Sequence, residues 1–228
     1  MGIPGVHPGM KLRYLLLLLA LFPQVAHPFI LIRAGEFLKG ERPVSQAIVW
    51  TGRTINFHIN TDQSAYGGSI AAEINSASFQ SAVSSALNAW ANVCGSDIQV
   101  TLSGTTTTLR DSTDAFNTIL WDNRTTGEGN GIANTGTLAV AYSSVNTASD
   151  TAASCDIVVN GEATGNFAIN GNGSDYDLVG ILAHEIGHCL GLDHSVEPPG
   201  FTSTNTILLT ATMTSTVSAG DLNGYRQG

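Results

Sequence analysis

Basic residues are scarce in this chain. Lys and Arg number 9 against 18 Asp and Glu, a formal net charge of −9, and nowhere do they cluster into the patch that a phosphate backbone requires. Nucleic acid is therefore not an expected partner. Charge of either sign is thin, at 12% of residues, so the polar surface must come from Ser, Thr, Asn and Gly. Cysteines number 3, and Cys94, Cys155 and Cys189 lack any C-x-x-C neighbour, which removes a cysteine zinc site and a dithiol redox motif from consideration. In an oxidising compartment two of them can pair and leave one over, but the sequence does not choose the pair. Internal repeats are absent, and no histidine occurs between residues 59 and 183.

Long hydrophobic runs are also missing. The apolar stretch from Tyr14 to Phe22 is about half of what a membrane-spanning helix needs, so a permanent anchor is not expected. Lys11 and Arg13 precede that stretch and Pro23 closes it, which is the charged and hydrophobic layout of a secretory signal. Residues 1–27 read as a leader, with Met10 the expected initiator because such signals place their basic residues near the start. Ala20 and Ala26 both offer a cleavage point. Export is expected, to the exterior or to a Gram-negative periplasm. The sequons at Asn123 and Asn172 matter only in a eukaryotic host.

The 228 residues suffice for one domain with a sizeable core, placed at 48–228 behind a short connector at 28–47. Within it, "RTINFHIN" at 53–60 alternates Ile55, Phe57 and Ile59 with polar neighbours, as a half-buried strand does. From Ile74 to Val93 the spacing turns helical, through Phe79, Val83, Leu87 and Trp90. Four further β-branched runs have strand length: "DIQVTL" at 97–102, "NTILWD" at 117–122, "TLAVAY" at 137–142 and "CDIVVN" at 155–160. The glycine-rich stretch at 123–136 reads as an exposed loop. A second helix is expected from Asp175, a fitting N-cap, to Gly191, a fitting stop. Five strands and two long helices imply a mixed α/β (α+β) domain.

That second helix carries the chemistry. Its end reads "HEIGHCLGLDHS", so three of the chain's 6 histidines fall between residues 184 and 195. On a helix His184 and His188 share one face a turn apart, close enough to hold one cation. Glu185 is badly placed as a third ligand, but it can take a proton from the attacking water. Gly191 can adopt positive φ, ending the helix and returning the chain so that His194 completes a three-histidine set. A bare H-E-x-x-H occurs in many helices by chance; Gly191 and His194 at their offsets remove most of that ambiguity. Structural zinc is usually closed by four protein ligands, whereas three histidines beside a glutamate leave a position for water and favour catalysis.

"HEIGHCLGLDH" matches the H-E-x-x-H-x-x-G-x-x-H signature of metzincin zinc endopeptidases, and Ser195 after the third histidine resembles the matrixin branch. The resemblance extends over roughly residues 48–226, through the helix ending in Trp90, "FNTILW", "TLAVAY" and "DYDLVGILAHE". It implies a metzincin catalytic domain with a mixed five-stranded sheet, two long helices, a short C-terminal helix begun by "GDLNGYRQG", and a cleft along the edge strand. It also implies one catalytic Zn(2+) on His184, His188 and His194, Glu185 as general base, and Met213 as the Met-turn beneath the histidines. Peptide substrate would then pair with the backbone of Leu138 and Ala139.

The departures are specific. Thr214 and Ser215 follow Met213 where Tyr and Pro are usual, and Val140 stands where animal relatives carry a ligand of a second zinc. Residues 27–47 contain no cysteine to act as a latency switch. Calcium at Asp122, Glu128 and Asp156 lacks support, because isolated carboxylates are usually solvated. Cys189, beside His188 but about 100° away around the helix, is expected to be a buried thiol or to pair with Cys155 or Cys94. The expected function is that of an exported, monomeric zinc endopeptidase acting on proteins or peptides. The rival from another class is a secreted binding or adhesion module that keeps the zinc scaffold without turnover, against which the retained Glu185 speaks.

Overall fold

The structure is a computed structural model describing residues 30–31, 49–61, 76–93, 97–111, 114–122, 132, 135–146, 148–149, 151–163, 165–169, 174–194 and 213. Its elements in chain order are β1 (Ile30–Leu31), β2 (Val49–Trp50), β3 (Thr54–Asn60), α1 (Ser76–Ala91), β4 (Gln99–Thr106), β5 (Asn117–Asp122), β6 (Ala139–Asn146), β7 (Thr151–Asn160), β8 (Phe167–Ala168), β9 (Tyr176–Asp177), α2 (Leu178–Cys189) and β10 (Leu192–Asp193).

Six strands form the main sheet, in the order β4, β3, β5, β7, β6, with the short β2 joining β7 beyond the start of β5. All pairings are parallel except β6 with β7. The sheet is therefore mixed, as expected, but six-stranded rather than five-stranded. Val49–Trp50 is too short to show alternation and gains its strand character only by pairing with Thr151 and Ala152.

Alternation along the strands divides the two faces. Ile55, Phe57, Ile59, Ile119, Trp121, Ile157 and Val159 point to one face, which α1 covers with Phe79, Val83, Ala86 and Leu87 and α2 with Leu178, Leu182 and Ile186. Trp121 lies edge-on to Phe79 and to Phe167, at 5.9 Å and 5.2 Å between ring centroids. On the other face a smaller cluster joins Leu120, Val158 and Ile132, with Val140 and Tyr142 against it. Among the described residues no helix is long and apolar enough to cross a membrane.

The element boundaries differ from the sequence reading where pairing overrides composition. β6 runs on through the Ser-rich Tyr142–Asn146 and β7 starts at Thr151, because the two strands pair along that whole length around a bulge at Ser144/Val145. The N-cap of α2 is Asp177 rather than Asp175, since Tyr176 and Asp177 are first held extended against Phe167 and Ala168. The expected C-terminal helix, the leader and Cys94 lie outside the described residues.

Candidate metal centre

Every residue of α2 from Leu178 to Gly187 is buried, so this helix runs through the core and its polar residues need local partners. His184 and Glu185 are each 7% exposed. α2 is capped by Leu190, whose N–H reaches the carbonyls of Ile186 and Gly187, and Gly191 follows at φ +89°. That left-handed residue turns the chain back into β10 and on to His194.

The turn brings the three imidazoles together. Their Nε2 atoms lie 3.1 Å apart between His184 and His188, 3.2 Å between His184 and His194, and 3.2 Å between His188 and His194. Three ring nitrogens cannot all satisfy one another by hydrogen bonding. Nitrogen ligands about 2.0–2.1 Å from one tetrahedral zinc would stand roughly 3.3 Å apart, so the arrangement fits a shared ion. Nδ1 of His188 faces the Leu192 carbonyl at 2.8 Å, which fixes Nδ1 as the protonated nitrogen and leaves the Nε2 lone pair available. Among the described residues these three histidines are the one group able to hold a metal ion.

Glu185 lies beside them on the same helix. Burial pushes its carboxyl up to about 8, with a backbone hydrogen bond from Ala141 on β6 acting in the opposite direction. Strand β6 thus touches the site through its main chain. Along β6 the carbonyl of Leu138 accepts from the Asn160 N–H and so faces β7, which by strand alternation turns the Ala139 main-chain groups the other way, as those of Ala141 are.

Met213 is fully buried, and a side chain at Gly187 would run into its Sδ and come within 3.0 Å of Trp90 Cζ2. The absence of a Cβ at Gly187 is therefore what lets the thioether and the indole pack against the turn between His184 and His188. Ser195 and Glu128 fall outside the described residues.

Of the three carboxylates considered for calcium, the two that are described, Asp122 and Asp156, are not brought together. Asp122 stands opposite Asn160, while Asp156 sits four residues earlier on β7, about 13 Å along the strand. The Asp156 carboxylate instead accepts N–H bonds from Thr118 at 2.8 Å and Asp111 at 3.1 Å. Of the two partners left open for Cys189, the structure contains the Cys155–Cys189 pair, with 5.5 Å between Cα atoms.

Sequence reasoning missed two tryptophans. Trp90 donates its indole N–H to the Ala183 carbonyl at 2.7 Å, and Trp50 donates to the Cys189 carbonyl at 2.7 Å. Trp90 was visible as a core position by its helical spacing, but nothing local to Trp50 signals a partner 139 residues away.

No curated protein matches the chain. The family model described as Matrixin matches residues 49–227, from β2 through the histidine site to the end of the chain. A mixed sheet with an antiparallel edge strand, a buried helix carrying H-E-x-x-H and a glycine turn to a third histidine stand within that match, and the chain belongs to the matrixin family of metallopeptidases.

Proposed function

We propose that this protein is an exported zinc endopeptidase in which Glu185 is the general base. The observation that carries the reading is the set of three Nε2 atoms within 3.1–3.2 Å of one another, with a buried glutamate adjacent in sequence. His184, His188 and His194 would hold a zinc ion through their Nε2 atoms, and the ion when bound would supply Lewis acidity toward the scissile carbonyl and the attacking water. Glu185 accepts the proton of the attacking water and delivers it to the leaving amine. The peptide lies antiparallel along β6, using main-chain groups around Ala139, and no covalent enzyme intermediate is required. Met213 forms the apolar floor of the site, and Ser195 follows the last ligand.

Export is supported by the charged and apolar leader at residues 1–27 and by a disulfide, a bond typical of oxidising compartments. The mature chain would begin in the connector at 28–47 and act as a monomer with one zinc. Substitution Glu185→Ala should lower kcat on an unstructured protein such as casein by about 10²–10⁴ while leaving one zinc per chain by mass spectrometry. A chelator should silence the wild type, and added zinc should restore it. Wild-type activity that persists in chelator, or retained turnover in Glu185→Ala, would overturn the reading. Zinc binding with no turnover on any protein would favour the scaffold-only alternative.

A further inference from the structure

We propose that the Cys155–Cys189 disulfide positions the zinc helix, so that the chain retains zinc tightly only once this bond has formed. The proposal rests on the reading of the three histidines as zinc ligands. Cys189 is the last residue of α2 and directly follows His188; two residues beyond it Gly191 turns the chain toward His194. The crosslink therefore acts at the pivot between two of the three ligands. It ties that pivot to β7, the strand paired along its length with β6.

Helix ends are the places where backbone order is lost first, since their last carbonyls have no partner within the helix. In α2 the two ends of the ligand-bearing stretch are held differently. Before His184, the Ala183 carbonyl takes the Trp90 indole N–H. After His188, the Cys189 carbonyl takes the Trp50 indole N–H, and the Cys189 side chain carries the disulfide. Trp50 comes from a two-residue strand, so the covalent bond is the firmer of the two restraints at that end.

Both sulfurs are buried, Cys155 at 0% and Cys189 at 2% exposure, so the bond forms as the domain folds and not afterwards. Its formation removes two electrons and two protons from the two thiols and passes them to a disulfide oxidant, which leaves as two thiols. A chain folded among excess thiols would thus carry the histidines without the restraint and hold zinc weakly. Tight metal retention, and with it activity, therefore requires that the chain fold in an oxidising compartment.

The test is zinc affinity, measured by competition with a coloured chelator on the wild type and on Cys155→Ala/Cys189→Ala. The variant should bind zinc at least tenfold more weakly and lose it faster, at temperatures where circular dichroism shows it folded, with kcat largely recovered in saturating zinc. Trp50→Phe should weaken zinc in the same direction by less. Zinc affinity within twofold of wild type, together with a lowered Tm, would make the bond a stabilising staple only and overturn the proposal. Should the double variant fail to fold, zinc release from the wild type into chelator is timed with and without a dithiol, below the urea unfolding transition. Faster release with dithiol supports the positioning role, and equal release over the time in which thiol titration shows the bond reduced overturns it. Wild-type oxidised protein that binds no zinc at all would instead remove the metallopeptidase reading itself.

Discussion

Asp156 is 2% exposed on the sheet face away from the helices, and burial pushes its carboxyl up from 3.8 to about 6 despite the N–H groups of Thr118 and Asp111. Asp114 adds to the rise, while Arg110, stacked 4.4 Å over the Tyr142 ring, opposes it. In the unfolded chain the same group titrates near its ordinary value. Between about pH 4 and 6 the folded state therefore holds a proton that the unfolded chain has released, and this residue's contribution to stability falls as pH rises through that window. Asp156→Asn keeps an acceptor but cannot ionise. Its Tm relative to wild type should rise from pH 4 to pH 7, and a pH-independent difference would contradict the assignment. The histidines were legible because a helix and one glycine turn fix them locally, within eleven residues of sequence. The Asp156 environment was not, because its partners Thr118 and Asp111 arrive from 38 and 45 residues away.

Among the described elements, β6 pairs with β7 on one flank and with no strand on the other. If Ala139 turns its main-chain groups toward substrate, Ala139→Pro removes one N–H there without breaking the ladder to β7. The expected result is at least a tenfold lower kcat/KM, with zinc retained and Tm little changed, from steady-state kinetics on a fluorogenic peptide. Undiminished kcat/KM would show that substrate does not use this group. Strand cores were readable from β-branched runs such as "NTILWD", and the helix expected over 74–93 is observed over Ser76–Ala91. Strand ends were not, because Ser- and Thr-rich segments resemble loops until a neighbouring strand supplies their hydrogen bonds. The added strand β2 and the shift of the N-cap to Asp177 have the same origin: two-residue pairings that no local pattern encodes.

For the whole molecule, a metal that binds the folded state alone stabilises that state by mass action. Three ligands gathered from a buried helix and a returning turn do not preexist in the unfolded chain, so zinc at 100 times its Kd should add about 2.7 kcal/mol. Differential scanning calorimetry should show Tm falling on treatment with chelator and recovering with zinc, and an unchanged Tm would mean that the site is not a metal site. The family and the α/β class were legible from one motif and the order of elements. How the molecule holds its zinc helix was not, since Trp50, Trp90 and Cys155 reach it from three separate parts of the chain.

The Ala141 main chain on β6 is hydrogen-bonded to Glu185. On the proposed reading, the strand that receives the peptide also steadies the group that moves the proton, so a substrate long enough to lie along β6 would stiffen the base as it docks. Peptide length would then be sensed in kcat as well as in KM, and a dipeptide bearing the right side chains would remain a slow substrate even at saturation.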